Sequence, residues 1–338
     1  AGSLEMQNRL YKNDGKGNFE YDSSLLPRSG FNCAVVVVND YDDDGDMDLF
    51  VGSRSIPLNY GPSPQSFLLQ NDGKGKFTDV TKAICPSLEK IGLVTGAVWV
   101  NILGDQKKEL VIVGEWMVPR IFQIIEKRIQ EVKSSLNTYY GWWQTVSAAD
   151  LDGDGDEDLV LGNIGENFYL HPDDKNPVKL WVNDFDKNGS MEKILTRSIE
   201  GKDMPVFLKR DLTDQIVSLK KQNLKYEDFA NKSIQQLFSS EIINTCTVGL
   251  FNYTSSCMAI NEGEGKFSVK VLPMLMQLSS VNSLLCTDVN GDGRIDIIGG
   301  GNRFDLLPQF GRLDASYGHV LLNKGNAIFE ELSSGKSG

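Results

Sequence analysis

The sequence predicts an all-β protein, a β-propeller of five to seven four-stranded blades with an α-helical insertion. Two kinds of segment recur and predict this fold. The first is a β-branched run, an Asp-rich loop and a second apolar run that ends in Gly, as in VVVVNDYDDDGDMDLFVG, VSAADLDGDGDEDLVLG and LLCTDVNGDGRIDIIGG. The second is an apolar strand followed by Asn, a Gly-containing turn and Phe. One segment of each kind makes a four-stranded antiparallel unit, and short-strand units that repeat every ~40 to 50 residues are typical of a propeller.

The units can be followed in order along the chain. It begins with a hairpin segment that no Asp loop precedes, and the NDG and GKG turns of such segments supply the positive φ angles that tight hairpins require. A degenerate unit fills Val98 to Val132, and the unit from Trp143 lacks its own hairpin before the next Asp loop. We expect a single propeller domain over residues 1–338, beginning within a blade and cut from a longer protein. The hairpin segments are Leu10 to Phe19, Leu68 to Phe77, Met258 to Phe267 and Leu321 to Phe329.

One stretch, between Asp211 and Phe238, departs from the strand pattern. Its apolar residues fall at the spacing of one stripe of an amphipathic helix. We therefore expect a helical insertion over residues 209–240 within a blade, which either packs against the side of the propeller or docks a partner. The stripe consists of Tyr226, Phe229, Ala230, Ile234, Leu237 and Phe238.

Negative charge is concentrated in the Asp-rich loops. The 338 residues carry a formal net charge of −12, and 40% are hydrophobic. Four nine-residue Asp loops carry −16, so the other 302 residues carry +4. Because the acidity is local, the exclusion of a generic nucleic-acid binder rests on the absence of any clustered basic stripe. The longest apolar runs, such as Cys33 to Val38, are far shorter than the ~20 residues of a membrane helix, so the sequence predicts no transmembrane segment.

The Asp loops have the spacing of a cation site. Each fits D-x-D/N-x-D/N-G-x-x-D/E, in which alternate oxygen-bearing residues converge on one point and Gly at the sixth position allows the bend. The backbone carbonyl of the seventh residue is expected to add an oxygen. The predicted ligands are Asp40, Asp42, Asp44, Asp46 and Asp48 in loop one; Asp150, Asp152, Asp154, Asp156 and Asp158 in loop two; Asp184, Asp186, Asn188, Ser190 and Glu192 in loop three; and Asp288, Asn290, Asp292, Arg294 and Asp296 in loop four.

These ligands favour calcium. Oxygen donors without His or Cys select a hard cation, and five or more protein oxygens on a flexible loop suit Ca²⁺ better than Mg²⁺. An EF-hand would need Glu at the twelfth position and flanking helices. The alternative is that the loops are merely acidic β-turns. Loops one and two would then each hold six acids within nine residues without a cation, and these acids would repel one another strongly. We therefore expect three to four Ca²⁺ ions. The twelfth positions, none of them Glu, are Val51, Leu161, Leu195 and Gly299.

Two loops depart from the pattern. Loop three ends in Glu192 where the others end in Asp. The degenerate loop from Asn101 to Glu109 has Leu103 at a ligand position and Gln106 at the glycine position. We expect this degenerate loop to hold no ion.

The five cysteines form no CxxC pair, which gives no support to a zinc ribbon or a thioredoxin-like site. Two alternatives remain for them. Cys246 and Cys257 could bridge adjacent strands, or all five could be small buried apolar residues. The cysteines are Cys33, Cys85, Cys246, Cys257 and Cys286.

The loops between second and third strands should lie on the face opposite the Asp loops. They are long and rich in Arg, Asn and aromatic residues, a composition suited to sugars or peptides. The alternative is that many of these residues pack or brace loops. The hypothetical contact residues are Arg54, Tyr60, Trp116, Asn167, Tyr169, Arg303, Asp305 and Arg312.

The Asp-loop segments resemble the FG-GAP (VCBS-type) repeats of integrin α-chain-like propellers. GWWQTVSAADLDGDGDEDLVLGNIGEN together with VNDFDKNGSMEKIL resembles bacterial surface proteins related to the cartilage acidic protein family. The resemblance covers nearly the whole chain except the helical insertion. It implies structural calcium, a secreted or surface-anchored location, and binding or adhesion more often than catalysis.

Three functional hypotheses follow. The favoured one is a calcium-stabilised extracellular module that binds a glycan, peptide or surface protein. One version of this hypothesis is a lipoprotein subunit of an outer-membrane or cell-surface complex. The alternative is a polysaccharide-active enzyme or its accessory propeller domain, although HExxH and G-x-S-x-G motifs are absent and only His171 and His319 could serve a triad. A third is a structural spacer inside a larger protein.

Overall fold

Short antiparallel strands form the framework of the protein. The structure, a computed structural model, describes residues 6–105, 107–222, 225–306, 311–333 and 335. The described chain begins with an exposed hairpin of β1 (Tyr11–Asn13) and β2 (Phe19–Tyr21). This hairpin forms a two-stranded sheet of its own.

Blade 1 follows the strand order that the sequence predicts. Loop one joins its first two strands, and the hairpin segment from Leu68 to Phe77 joins its last two. All four strands pair in consecutive order. They are β3 (Asn32–Asn39), β4 (Asp48–Ser55), β5 (Phe67–Asn71) and β6 (Phe77–Asp79).

Blade 2 is the degenerate unit. Its second strand is buried along its whole length, including the two acidic residues Glu109 and Glu115. A short fifth strand pairs with the end of this second strand. The strands are β7 (Leu93–Val100), β8 (Glu109–Met117), β9 (Arg120–Ile125), β10 (Arg128–Val132) and β11 (Gly141–Trp142).

Blade 3 is assembled from two distant parts of the chain. Loop two joins β12 (Thr145–Ala149) to β13 (Asp158–Gly162). The third and fourth strands come only after residues 163–256, so the unit does have a hairpin, the segment from Met258 to Phe267. In the sequence this hairpin is separated from its blade by loop three and the helical stretch, which is why the unit looks incomplete.

The intervening residues 163–256 contain a complete sheet of their own, here called the inserted sheet. Loop three joins β14 (Val178–Asn183) to β15 (Glu192–Ile199), and β16 (Lys202–Pro205) and β17 (Thr247–Phe251) complete it. The order is β16-β15-β14-β17, so loop three joins the two central strands, whereas the loops of the blades join first and second strands.

The described residues between β16 and β17, which leave out 223 and 224, form five short helices. The expected single stripe is divided between two of them, Tyr226 is exposed, and Phe229, Ile234 and Leu237 pack with Trp181 of the inserted sheet. The helices are α2 (Lys209–Gln215), α3 (Ser218–Gln222), α4 (Tyr226–Ala230), α5 (Ile234–Leu237) and α6 (Ser240–Asn244), and α1 (Thr81–Ile84) precedes them in the chain.

Blade 3 closes with β18 (Cys257–Asn261) and β19 (Phe267–Val271), and blade 4 follows. Loop four joins the first two strands of blade 4, and the last hairpin segment joins the other two. The strands of blade 4 are β20 (Ser283–Thr287), β21 (Asp296–Gly300), β22 (His319–Asn323) and β23 (Phe329–Glu331).

The four blades stack in series through their first strands, since β3 contacts β7, β7 contacts β12, and β12 contacts β20. Because successive side chains of a strand point to opposite faces, Leu110 and Ile112 pack with blade 1, whereas Val111 and Val113 pack with blade 3. The prediction of an all-β, propeller-like fold of antiparallel four-stranded sheets is confirmed.

Glycine at the end of the second strand allows this stacking. A Cβ atom on Gly162 would lie 2.3 Å from the carbonyl oxygen of Val281, on the segment that leads into blade 4. This close approach requires glycine at the end of β13.

All five cysteines are free thiols, so the structure does not form the bridge considered for Cys246 and Cys257. Among the described residues, no helix has the length and apolar character needed to cross a bilayer.

Candidate metal centres and the opposite loops

The ninth residue of each Asp loop is a buried carboxylate that holds the loop closed. Asp158 is 1% exposed. Its Oδ2 accepts the N–H of Leu151 at 2.9 Å, and its Oδ1 accepts the N–H of Asn261 at 2.7 Å. Asp48 and Asp296 make the equivalent pairs of bonds, and Glu192 accepts the N–H of Phe185 at 2.9 Å.

The first residue of each loop fixes the bend. The two carboxylate oxygens of Asp40 accept the N–H groups of Asp44 at 3.1 Å and Gly45 at 2.9 Å. Gly45 has φ 93°, and Gly155 of loop two has φ 97°. Glycine adopts this left-handed conformation without the strain that a Cβ would bring, so the sixth position turns the chain back toward the ninth residue.

In three loops the carboxylates of the first, third and ninth residues come together. The ligand atoms in each group lie within 4.8 Å of one another. The groups are Asp40, Asp42 and Asp48; Asp150, Asp152 and Asp158; and Asp184, Asp186 and Glu192. Each could hold a metal ion, as the spacing predicts.

Two of these groups contain a carboxylate oxygen without a hydrogen bond. Oδ1 of Asp42 and Oδ1 of Asp186 are buried and have no hydrogen-bond partner, although Oδ2 of Asp42 accepts the amide of Gln70 at 2.7 Å. A buried carboxylate oxygen without a partner is costly. A hard cation would satisfy it, so the donor set fits Ca²⁺.

The electrostatics of the loops point the same way. Burial raises the pKa of Asp48 to about 6, with a smaller contribution from the nearby carboxylates of Asp42 and Asp44. Burial likewise raises the pKa of Asp158 to about 6. Within each loop the carboxylates repel one another when no cation is present, and a divalent ion would offset that repulsion.

Loop four is arranged differently. Asn290 stands at its third position, so the loop lacks one of the three carboxylates. The guanidinium of Arg294 pairs with Asp292 at 2.5 Å, and the amide of Asn290 donates to the same carboxylate at 3.1 Å. In loop four, therefore, the guanidinium of Arg294 and the amide of Asn290 already bind the carboxylate of Asp292, the fifth residue.

The degenerate loop keeps the shape of an Asp loop. Glu109 accepts the N–H of Ile102 at 2.8 Å and the N–H of Leu103 at 3.1 Å, which is the role of the ninth residue elsewhere. Lys107 reaches Asp43 of loop one at 3.4 Å. Gln106 lies outside the described residues.

Two segments of the chain match known family models. Residues 1–51 match an FG-GAP-like repeat, and residues 142–181 match an FG-GAP repeat. The chain contains FG-GAP repeats. The first match includes loop one and the second includes loop two, so both loops lie within FG-GAP repeats. A search of curated proteins gave no significant match to the chain.

The Asn at the start of each hairpin turn is a structural residue that the sequence reasoning missed. Asn71 donates its N–H to Asp48 at 2.8 Å and its amide to the carbonyl of Met47 at 3.1 Å. Its Oδ1 accepts the N–H of Gly73 at 3.2 Å. The recurrence of Asn before each Gly-containing turn was visible in the sequence, but only the structure shows that it fastens the hairpin to the Asp loop.

On the opposite loops, a buried carboxylate gathers several of the predicted contact residues. Glu115 has a side chain that is 0% exposed, and sequence reasoning missed it. It accepts a bond from Arg54 at 2.7 Å and one from the hydroxyl of Tyr60 at 2.7 Å. Trp116 donates its indole N–H to the Tyr60 oxygen at 2.7 Å, and Arg303 lies 3.7 Å from Glu115.

Much of this cluster is covered rather than open to solvent. Trp116 is buried and packs on Trp142 and Phe251. A Cβ on Gly249 of the inserted sheet would lie 2.7 Å from that of Trp116, so β17 lies directly against it. The inserted sheet thus covers part of the surface for which the sequence predicted ligand contacts.

The other predicted contact residues have mixed positions. Arg303 stacks over Trp142 at 4.6 Å and pairs at 2.7 Å with Asp305, which is exposed. Asn167 donates to the carbonyl of Leu278 at 3.1 Å, and Arg312 is exposed. The ring of Tyr169 packs on Phe168, and burial raises the pKa of its hydroxyl to about 12.

Proposed function

We propose that the protein is a calcium-binding β-propeller-like module that acts outside the cell or at its surface and binds a glycan, peptide or protein partner. The observation that carries the proposal is the convergence of three carboxylates in each of three loops. The FG-GAP matches over the segments that contain loops one and two support it. Attachment to a larger surface complex agrees with this role.

We assign one Ca²⁺ ion to each of loops one, two and three. The first, third and ninth residues would provide carboxylate oxygens, and the fifth residues, Asp44, Asp154 and Asn188, would add one side-chain oxygen each. The seventh residues, Asp46, Asp156 and Ser190, would contribute backbone carbonyls. In loop four a fourth ion would have to compete with Arg294 for Asp292.

A thermal melt tests the calcium proposal. A ligand that binds only the folded state stabilises it by RT ln(1 + [L]/Kd), or about 2.7 kcal/mol per site at one hundred times Kd. We expect protein stripped of metal to melt at a lower temperature and to recover on addition of CaCl₂, more than on addition of MgCl₂.

Matched variants distinguish calcium binding by the Asp loops from a general effect of acidic residues on the melting temperature. Asp42→Asn should reduce the calcium-dependent shift, because Asp42 contributes an oxygen that lacks a hydrogen-bond partner. Asp72→Asn, in the exposed turn after β5, should leave the shift intact. If calcium produced no shift in the unmodified protein, the proposal would be wrong.

Partner binding is proposed for the exposed rim around Glu115. Arg54 and Asp305 present charged groups there without being fully buried, and Arg312 is exposed beside Leu313, which pairs with Arg303. Glycan and peptide arrays provide the probes, and alanine variants of these three residues should lose binding to any probe that is captured. Capture that is unchanged in all three variants would place the binding surface elsewhere.

A further inference from the structure

The hairpin Asn residues of blades 3 and 4 also contact the preceding blade. The amide of Asn323 in blade 4 donates to the carbonyl of Leu151 at 2.7 Å, and Leu151 is the second residue of loop two in blade 3. The amide of Asn261 in blade 3 donates to the carbonyl of Ile102 at 2.9 Å, the second residue of the degenerate loop in blade 2. The same bond therefore recurs at two successive blade junctions.

These junction bonds are shielded from water. Asn323 is 2% exposed and Leu151 is 1% exposed. The carbonyl of Leu151 also accepts the N–H of Ala327, in the turn that follows β22, at 3.2 Å. Water cannot readily replace buried bonds of this kind, so their loss is costly.

The Leu151 residue is held from both sides. Its N–H donates to Asp158 at 2.9 Å within loop two, and its carbonyl accepts from blade 4. Asp150 and Asp152, the residues on either side, belong to the carboxylate group of loop two. A cavity of about 150 Å³, lined by both loops and Asn323, lies at this junction. The position of the Leu151 backbone therefore fixes the main chain from which the side chains of Asp150 and Asp152 extend.

We propose that Asn323 is a positioning residue for the loop-two metal site of the neighbouring blade, so that metal binding by loop two and docking of blade 4 stabilise each other. The proposal rests on metal binding by loop two. Coupling of this kind is reciprocal. If docking of blade 4 raises the metal affinity of loop two by a given factor, metal binding favours the docking of blade 4 by the same factor.

Asn71 provides a matched control. It makes the same bonds to its own loop, to Asp48 and to Met47, and its hydrogen bonds among the described residues all stay within blade 1. Asn71→Ala therefore removes only the side-chain bonds within a blade, to Met47, Gly73 and Gly75, and keeps the backbone N–H bond to Asp48. Asn323→Ala removes the equivalent side-chain bonds within blade 4 and also the bond to Leu151 of loop two.

The experiment is a calcium titration followed by hydrogen exchange and mass spectrometry, which reports each loop separately. Asn323→Ala should raise the Ca²⁺ concentration for half-maximal protection of residues 150–158 by about three- to tenfold, the loss expected for one buried hydrogen bond, and leave residues 40–48 unchanged. Asn71→Ala should shift residues 40–48 and leave 150–158 unchanged. An unshifted loop two in Asn323→Ala would overturn the inference.

The reciprocal measurement does not depend on the folding of that variant. Asp152→Asn, at saturating Ca²⁺, should speed exchange in residues 319–327 of blade 4 but not in residues 67–75 of blade 1. Equal exchange in residues 319–327 with and without the substitution would contradict the coupling. If residues 150–158 of the unmodified protein gain no protection from Ca²⁺, it is the metal proposal itself that fails.

Discussion

At the scale of single residues, Glu115 is a buried charge whose partners come from distant loops. Arg54 lies near the end of β4, Tyr60 follows that strand, and Arg303 follows β21. The sequence placed Arg54, Tyr60 and Arg303 in one candidate set because they lie in equivalent loops. It did not identify Glu115, because a single acid at the end of an apolar strand has no signal of its own. What joins these residues is the stacking of blades.

Replacing Glu115 should destabilise the fold. Glu115→Gln leaves Arg54 without its paired carboxylate and leaves Arg303 with Asp305 alone, and we expect a loss of about 1 to 3 kcal/mol in the free energy of unfolding by urea denaturation. Glu131→Gln is the control, because Glu131 pairs with Arg120 nearer the surface and such pairs contribute about 1 kcal/mol or less. Equal losses in the two variants would show that Glu115 has no special role.

The thiol of Cys257 should be unreactive in the native protein. Burial raises its pKa to about 12, so at pH 8 it stays protonated and shielded, and the thiolate is the reactive form. Labelling with iodoacetamide and peptide mapping should modify the half-buried Cys33 before Cys257. Both should react in guanidinium chloride. Rapid native labelling of Cys257 would mean that β18 opens readily.

At the scale of elements, the Asp loops and hairpins follow closely from the sequence, because their geometry is local. Asp40 caps backbone groups only four and five residues ahead, and Asn71 caps its own turn. The helical stretch was less predictable. Helical spacing continues from Tyr226 to Phe238, yet the chain turns after Ala230, and α5 begins with Ser233 as its N-cap.

The short helices should depend on packing rather than on their own propensity, because isolated helices of this length are not stable in water. Phe229→Ala, in α4, removes a buried ring that packs with the inserted sheet and should cost about 3 to 5 kcal/mol. Tyr226→Ala, on the same helix, removes a side chain that is 66% exposed. Limited proteolysis within residues 209–244 should therefore accelerate in the first variant only. Similar protection in both would argue against the packing.

At the scale of the whole molecule, the sequence predicted the kind of architecture but not the connection of its parts. Repeats revealed strands, Asp loops and hairpins. They could not show that β13 pairs with β18, because no local pattern states which hairpin belongs to which loop across residues 163–256. For the same reason no pattern in the sequence indicated that the inserted sheet would cover Trp116, because that contact depends on how the blades stack.

The divided construction of blade 3 has a consequence for synthesis. A growing chain that has reached residue 162 presents β13 with an unpaired edge, and unpaired edges invite association with other chains. At ~5 to 20 residues per second, roughly 5 to 20 seconds pass before the strand that covers this edge emerges. All four strands of the inserted sheet are made during that interval. The inserted sheet can therefore fold on the ribosome before β18 and β19, the last two strands of blade 3, have been synthesised.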